Sequence, residues 1–285
     1  MAELNGLIFS KNRACQLDCL LRSLRDNLTG PFKRIFIVYK ATGNSFREGY
    51  QKLIAKRIHD NLHWIEEGSF KSDVLNVMQK IPNESYLMFL VDDNVFYRRF
   101  NVSPIASIFG KRHLFISLRC SRDYKDDIQP KFLKTEKYLE WRWTFHSTPR
   151  GKWNYPFSVD GNIYRKDLMC RLLKSLDFKA PNSFESALHS KRWGLNVRWR
   201  DKALAPLESV VFNNPLNKVQ TEGETWHKGP TAEQLNEKYC EGFIIDNLPF
   251  YSARPDSAHF NVDISFINNQ KDCRESMKKN SGNGQ

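Results

Sequence analysis

The chain has 285 residues, of which 40% are hydrophobic and 13% aromatic, enough to bury a real core in one large domain or two small ones. Forty-four Lys and Arg against 32 Asp and Glu leave a formal charge of +12, which favours an anionic partner (a nucleotide, a nucleic acid or an acidic membrane surface) or is simply a solvated basic surface, since no long basic run occurs. Six scattered cysteines without a CxxC pair exclude a disulfide scaffold and read as free thiols, with Cys15 and Cys19 packing on one helix.

Strand and helix signals alternate along the first hundred residues. Leu7–Phe9 reads as a strand, and Leu17, Leu20, Leu21, Leu24 and Leu28 then recur at helical spacing until Gly30-Pro31 stops the helix. Ile35–Tyr39 is a second strand, followed by the stripe Phe46, Tyr50, Leu53, Ile54 and Ile58. Leu62–Ile65 is a third, followed by Phe70, Val74, Leu75, Val77 and Met78. Tyr86–Val91 is a fourth, a continuous apolar run of the kind buried on both faces of a parallel sheet. This order predicts an α/β fold with a mostly parallel central sheet flanked by helices.

The second half begins with a strand at Leu114–Leu118 and a polar loop from Ser121 to Lys134. An aromatic cluster follows (Tyr138, Trp141, Trp143, Phe145, Trp153, Tyr155, Phe157), and its tryptophans could stack on sugar rings or fill a core. Val159–Tyr164 reads as a strand, and Leu168–Leu176 and Ser183–Trp193 as helices, the second capped by Asn182 or Ser183. Leu235 and Tyr239 mark a last helix. No linker is visible. The expected organisation is one domain over 1–267, with a nucleotide-binding half (1–100) and an acceptor-binding half (101–267), and a disordered polar tail over 268–285.

Asp92-Asp93-Asn94 follow the fourth strand directly, where open α/β sheets bind ligands. Oxygen ligands there suit Mg2+ or Mn2+ on a diphosphate, although Asp92 could also only cap the turn. A phosphate loop, a GxGxxG motif and a GxSxG elbow are all absent, which argues against P-loop NTPases, dinucleotide enzymes and α/β-hydrolases. Ser10, Lys11 and Arg13 after the first strand, with Lys40 and Lys71, are candidate contacts to a nucleotide's base and diphosphate.

In this order, Leu7–Arg13, Phe89–Asn94, Phe157–Arg165, Pro181–Glu185 and Asn214–Gln220 resemble the GT-A class of nucleotide-sugar glycosyltransferases, in particular bacterial and viral polysaccharide enzymes. The resemblance implies a GT-A-like, Rossmann-like domain that moves a sugar from a nucleotide-diphosphate donor, UDP by default, to a glycan or lipid-linked acceptor hydroxyl. It implies Mg2+ or Mn2+ at the acidic motif. Asp92 would face the nucleoside, and Asp93, Asn94 (where the family usually has a carboxylate) and His227 are the candidate metal ligands. It makes Glu185 the candidate base of an inverting reaction, and Asp160, before Gly161, its rival or a sugar-hydroxyl contact. A capping-box role for Glu185 is the plainer alternative.

Two other functions stay open at this stage. One is a nucleic-acid-binding protein or metal-dependent nuclease, although nucleic acid is not the expected partner. The other is an inactive GT-A-like sugar-nucleotide binder, suggested by Asn94. Residues 1–6 lack a signal-peptide layout and no apolar run reaches roughly 18 residues. A soluble cytoplasmic protein is therefore expected, with peripheral membrane attachment as an option.

Overall fold

In the computed structural model, residues 3–268 are described, except 31, 123, 125–127, 135, 145–150, 193 and 218–228. His227, Phe145, Trp193, Cys273 and the polar tail lie outside the described residues. No helix among those described is long and apolar enough to cross a membrane.

Among the described residues, nine strands form the central sheet: β1 (Leu4–Lys11), β2 (Phe32–Lys40), β3 (Leu62–Glu66), β4 (Tyr86–Val91), β5 (His113–Ser117), β6 (Phe132–Lys134), β7 (Tyr138–Arg142), β8 (Asn162–Arg165) and β9 (Lys202–Pro206). Their order is β3-β2-β1-β4-β8-β5-β9-β7-β6. Strands β3, β2, β1 and β4 pair in parallel, as do β5 and β9, while β8 and β7 run against their neighbours. Seven of the nine strands therefore share one direction, and the loops after β1, β4 and β5 gather at one edge with the loop entering β8.

Burial on both faces explains the apolar run of β4. Met88 and Leu90 belong to one core and Leu87 and Phe89 to the other, all at 0% exposure. The first core is covered by α1 (Ala14–Asn27), α2 (Asn44–Ala55) and, late in the chain, the helix Ala232–Cys240. The second is covered by α3 (Phe70–Lys80), α4 (Lys166–Leu173) and α5 (Pro181–Ser190). A buried carboxylate ties the C-terminal helix down: Asp18 on α1 accepts from Lys56 at 2.7 Å and from the Tyr239 hydroxyl at 2.9 Å.

The structure departs from the sequence expectation in several places. Helix α1 ends at Asn27, because Leu28–Thr29 leave it to pair with Phe100–Asn101. Phe132–Lys134 form a strand inside the expected polar loop, through pairing with β7. Helix α5 starts at Pro181 after Ala180, not at a capping Asn182 or Ser183. Trp141, Trp143 and Trp153 are at most 2% exposed, so they are core residues and not a sugar platform.

Strand β8 begins only at Asn162 because Gly161 turns with φ +74°. Its N–H bonds to Phe89 O at 2.8 Å and its carbonyl accepts from Leu118 N at 3.0 Å. A Cβ there would lie 2.6 Å from Val211 Cγ1. Gly161→Ala should therefore cost about 1–3 kcal/mol in urea unfolding, from crowding and left-handed strain together. An unchanged midpoint would contradict this account of the turn.

Candidate functional site

The loop after β1 is a rigid turn. Asn12 adopts φ +57°, its N–H donates to Lys40 O at 2.9 Å, and its carboxamide bonds Thr42 through both atoms. A short polar side chain that bonds locally tolerates this left-handed position. The turn delivers Arg13 to the end of β4, where it donates to Asp92 Oδ1 at 2.9 Å and lies 3.8 Å from Asp93 Oδ2. Its Nε donates to Asn217 Oδ1 at 2.8 Å, and Nη2 donates to the Asn217 carbonyl. Burial works against the Arg13 charge, but Asp92 and Asp93 outweigh it and hold its pKa above the ordinary value.

The three residues of the acidic motif have different partners. Asp92 is 4% exposed and both its oxygens are engaged, by Arg13 and by the Lys11 N–H at 3.1 Å. Asp93 keeps more solvent contact, at 16% of its side chain, and accepts from Asn213 Nδ2 at 3.0 Å. Asn94 is fully buried, and its Oδ1 accepts the Val91 N–H at 2.9 Å. The ligand position expected for Asn94 is thus corrected: its oxygen closes the turn.

A second ion pair faces the first. Arg119, just beyond β5, donates to Asp160 Oδ2 at 2.6 Å, to Ser158 Oγ at 3.1 Å and to Asn213 Oδ1 at 3.3 Å. Asn213 therefore bridges Asp93 and Arg119. It sits in the strand Val211–Asn213, which pairs with Asn94–Phe96 beside the acidic turn. Glu185, on α5, accepts the Val159 N–H at 3.2 Å. Ser183 Oγ accepts the Ala180 N–H, which leaves Glu185 beyond the capping position and aimed at the loop before β8. The capping-box alternative for Glu185 is removed.

Four carboxylates (Asp92, Asp93, Asp160, Glu185) thus meet two guanidinium groups (Arg13, Arg119) among the described residues, a surplus of 4 − 2 = 2 negative charges when all are ionised. The surplus falls on Asp93 and Glu185. Burial, with Asp92 and Asp160 as neighbours and Arg13 and Asn213 opposing, pushes Asp93 up to about 7. Burial and then Asp160, opposed by Arg119, push Glu185 up to about 7. Such a site invites a cation or a proton. No three His, Cys, Asp or Glu among the described residues converge as a full ligand set. The donor set therefore fits a hard ion held by one carboxylate, with phosphate and water oxygens completing its shell.

The other expected contacts are distributed less favourably. Ser10 Oγ is 2.7 Å from the Tyr50 hydroxyl inside the core. Lys40 pairs with Glu67 at 2.9 Å and Lys71 with Asp177 at 3.3 Å, so their ammonium groups are directed to other carboxylates. Lys11 enters through its backbone N–H. Sequence reasoning missed Arg119, Asn213 and His259. For Arg119 the available signal was its position just after a predicted strand. His259 pairs with Asn213 through the backbone, and burial first, then Arg119, lowers its pKa, with Asp160 opposing.

No protein-family model matches the chain. A bifunctional glycosyltransferase, pgtA, of Dictyostelium discoideum is 28% identical over 182 residues, covering 56% of this chain and 23% of the relative. The chain therefore spans about a quarter of that protein's length. Among solved structures, Staphylococcus aureus TarS 1–349 in complex with UDP-GlcNAc aligns with TM-score 0.44 and 14% identity, over 78% of this chain and 60% of that one. The mannosyltransferase PcManGT from Pyrobaculum calidifontis, in complex with GDP-Man and Mn2+, aligns with TM-score 0.37 and 11% identity, over 65% and 50%. With TM-scores below 0.5, these two likenesses carry no weight for function.

Proposed function

We propose that this chain is a glycosyltransferase that moves a sugar from a nucleotide-diphosphate donor to a hydroxyl of a glycan or lipid-linked acceptor, with inversion. The observation that carries this reading is the surplus pair, Asp93 and Glu185, at the carboxyl edge of the sheet. The sequence similarity to a glycosyltransferase points the same way.

Asp93 would hold Mg2+ or Mn2+ against the donor's diphosphate. When bound, the ion supplies charge neutralisation for the departing nucleoside diphosphate. Arg13 and Lys11 fix Asp92, which makes that residue the anchor of the nucleotide-facing loop. Asp160, held by Arg119, is free at its other oxygen to accept from a sugar hydroxyl. Glu185, ionised, takes the proton of the attacking acceptor hydroxyl; its pKa near 7 suits a base working at neutral pH.

The inactive-binder reading rests on Asn94, whose oxygen closes the turn where the family usually has a carboxylate. The nuclease reading gains no observation. A thermal-shift panel of nucleoside diphosphates, with and without Mn2+, tests donor binding. One nucleotide should raise the melting temperature of the wild type, more so with Mn2+, and Asp93→Ala should lose the metal-dependent part. No shift with any nucleotide would overturn the reading.

A further inference from the structure

We propose that the sheet edge opposite the candidate site docks on an anionic membrane, with arginines around Trp199 holding lipid phosphates and the exposed indole entering the headgroup layer. Docking there does not depend on the reaction at the carboxyl edge.

The strand directions gather this surface. Strands β5 and β9 begin where β7 and β8 end, on the side of the sheet away from Asp93 and Glu185. Arg112 precedes β5, Arg142 ends β7 and Asp201 precedes β9. Both guanidinium groups donate to Asp201, at 2.6 Å and 2.8 Å, and stay half exposed. Trp143 ties the next segment to the same place: its N–H donates to Asp201 O at 3.0 Å and its Nε1 to Arg200 O at 2.6 Å. The short helix Leu195–Arg198 buries Val197, and the chain then presents Arg198 and Trp199 to solvent, Trp199 at 47% exposure. Arg200 lies over the Trp199 ring, 4.0 Å from its centroid. Arg171, on α4, is half exposed and pairs with Asp167 at 2.9 Å.

Six arginines (Arg112, Arg142, Arg165, Arg171, Arg198, Arg200) thus meet two carboxylates, Asp167 and Asp201, in these contacts among the described residues. The surplus is 6 − 2 = 4 positive charges. The crowding is felt at Arg200: burial, then Arg171, and also Arg165 lower its pKa, with Asp167 opposing. Guanidinium forks match phosphate oxygens, and tryptophan settles at the headgroup level of a bilayer. A protein partner would meet an interface with an apolar centre, whereas Trp199 is flanked by Arg198 and Arg200. A nucleic-acid strand stacks its bases on open ring faces, and Arg200 already covers one face of Trp199. Docking by this edge leaves the carboxyl edge turned away from the bilayer.

The test is co-sedimentation of the full chain with vesicles of phosphatidylcholine alone, and of phosphatidylcholine with about 30% phosphatidylserine, at about 0.1 M salt. The wild type should bind the phosphatidylserine vesicles, not the neutral ones, and come off as salt rises. Arg198→Glu should weaken that binding by about 30-fold, since it counts as two lost charges of about fivefold each. Trp199→Ala keeps the charge and should weaken binding by a factor that salt does not change. Far-UV spectra and melting temperatures like those of the wild type check that both variants fold. No binding by the wild type, or equal binding by the wild type and Arg198→Glu, overturns the proposal. Binding to a DNA duplex in place of the vesicles also overturns it, and equal binding by Trp199→Ala removes the role given to the indole. Vesicle binding by a protein that transfers no sugar leaves the docking surface standing, and it is then the proposed function that fails.

Discussion

Glu185→Gln should lower sugar transfer by about 10²–10⁴-fold while leaving the donor-induced thermal shift unchanged. That range is what a positioned base contributes when it removes a proton in the transition state. The pH dependence follows from the same group. A base works ionised, so the wild-type rate should rise with pH through about 7 and level off above it. Stability has the opposite sign. The unfolded glutamate ionises near 4.5 and the folded one near 7, so stability from the protonated form is complete below about pH 4.5. It is lost as pH rises through about 7. At pH 8, Glu185→Gln should therefore unfold at a higher temperature than the wild type, by an amount on the order of 1–3 kcal/mol, and at pH 4 the difference should vanish. Calorimetric scans across this range check the sign directly, and a variant less stable at pH 8 would contradict it.

Arg13→Met should cost about 3–5 kcal/mol in urea unfolding, because it leaves the buried Asp92 without its partner. The arginine also anchors Asn217, so the link between the loop after β1 and the segment after Val211–Asn213 is lost with it. Adding Asp92→Asn to Arg13→Met should recover most of the loss, since the double variant no longer buries an unpaired charge. A double-mutant cycle measures this coupling. Strict additivity of the two substitutions would show that the pair is not the source of the loss.

Much of the fold was legible in local sequence. Tyr86–Val91 was bounded correctly because a strand buried on both faces has no polar interruption until the carboxylates that end it. Strand β6 and the early end of α1 were not legible, because pairing with distant strands decides them and leaves no local period. In the site, Asp92, Asp93, Asp160 and Glu185 could be found because acidic groups at strand ends and helix starts are conspicuous. Which of them carries the surplus charge could not be found this way, since that depends on where Arg13 and Arg119 reach. Asn94 misleads on sequence alone: adjacent to two aspartates it reads as a ligand, yet its oxygen is taken by a backbone N–H three residues earlier.

The central claim is that a sugar nucleotide reacts at the carboxyl edge of this sheet, between Asp93 and Glu185. Release of nucleoside diphosphate from a panel of UDP- and GDP-sugars, with Mn2+ and glycan acceptors present, tests it most directly. The wild type should turn over one donor, Asp93→Ala and Glu185→Gln should each lose that turnover, and all three should show the same far-UV spectrum. Equal turnover by the wild type and both variants would contradict the account.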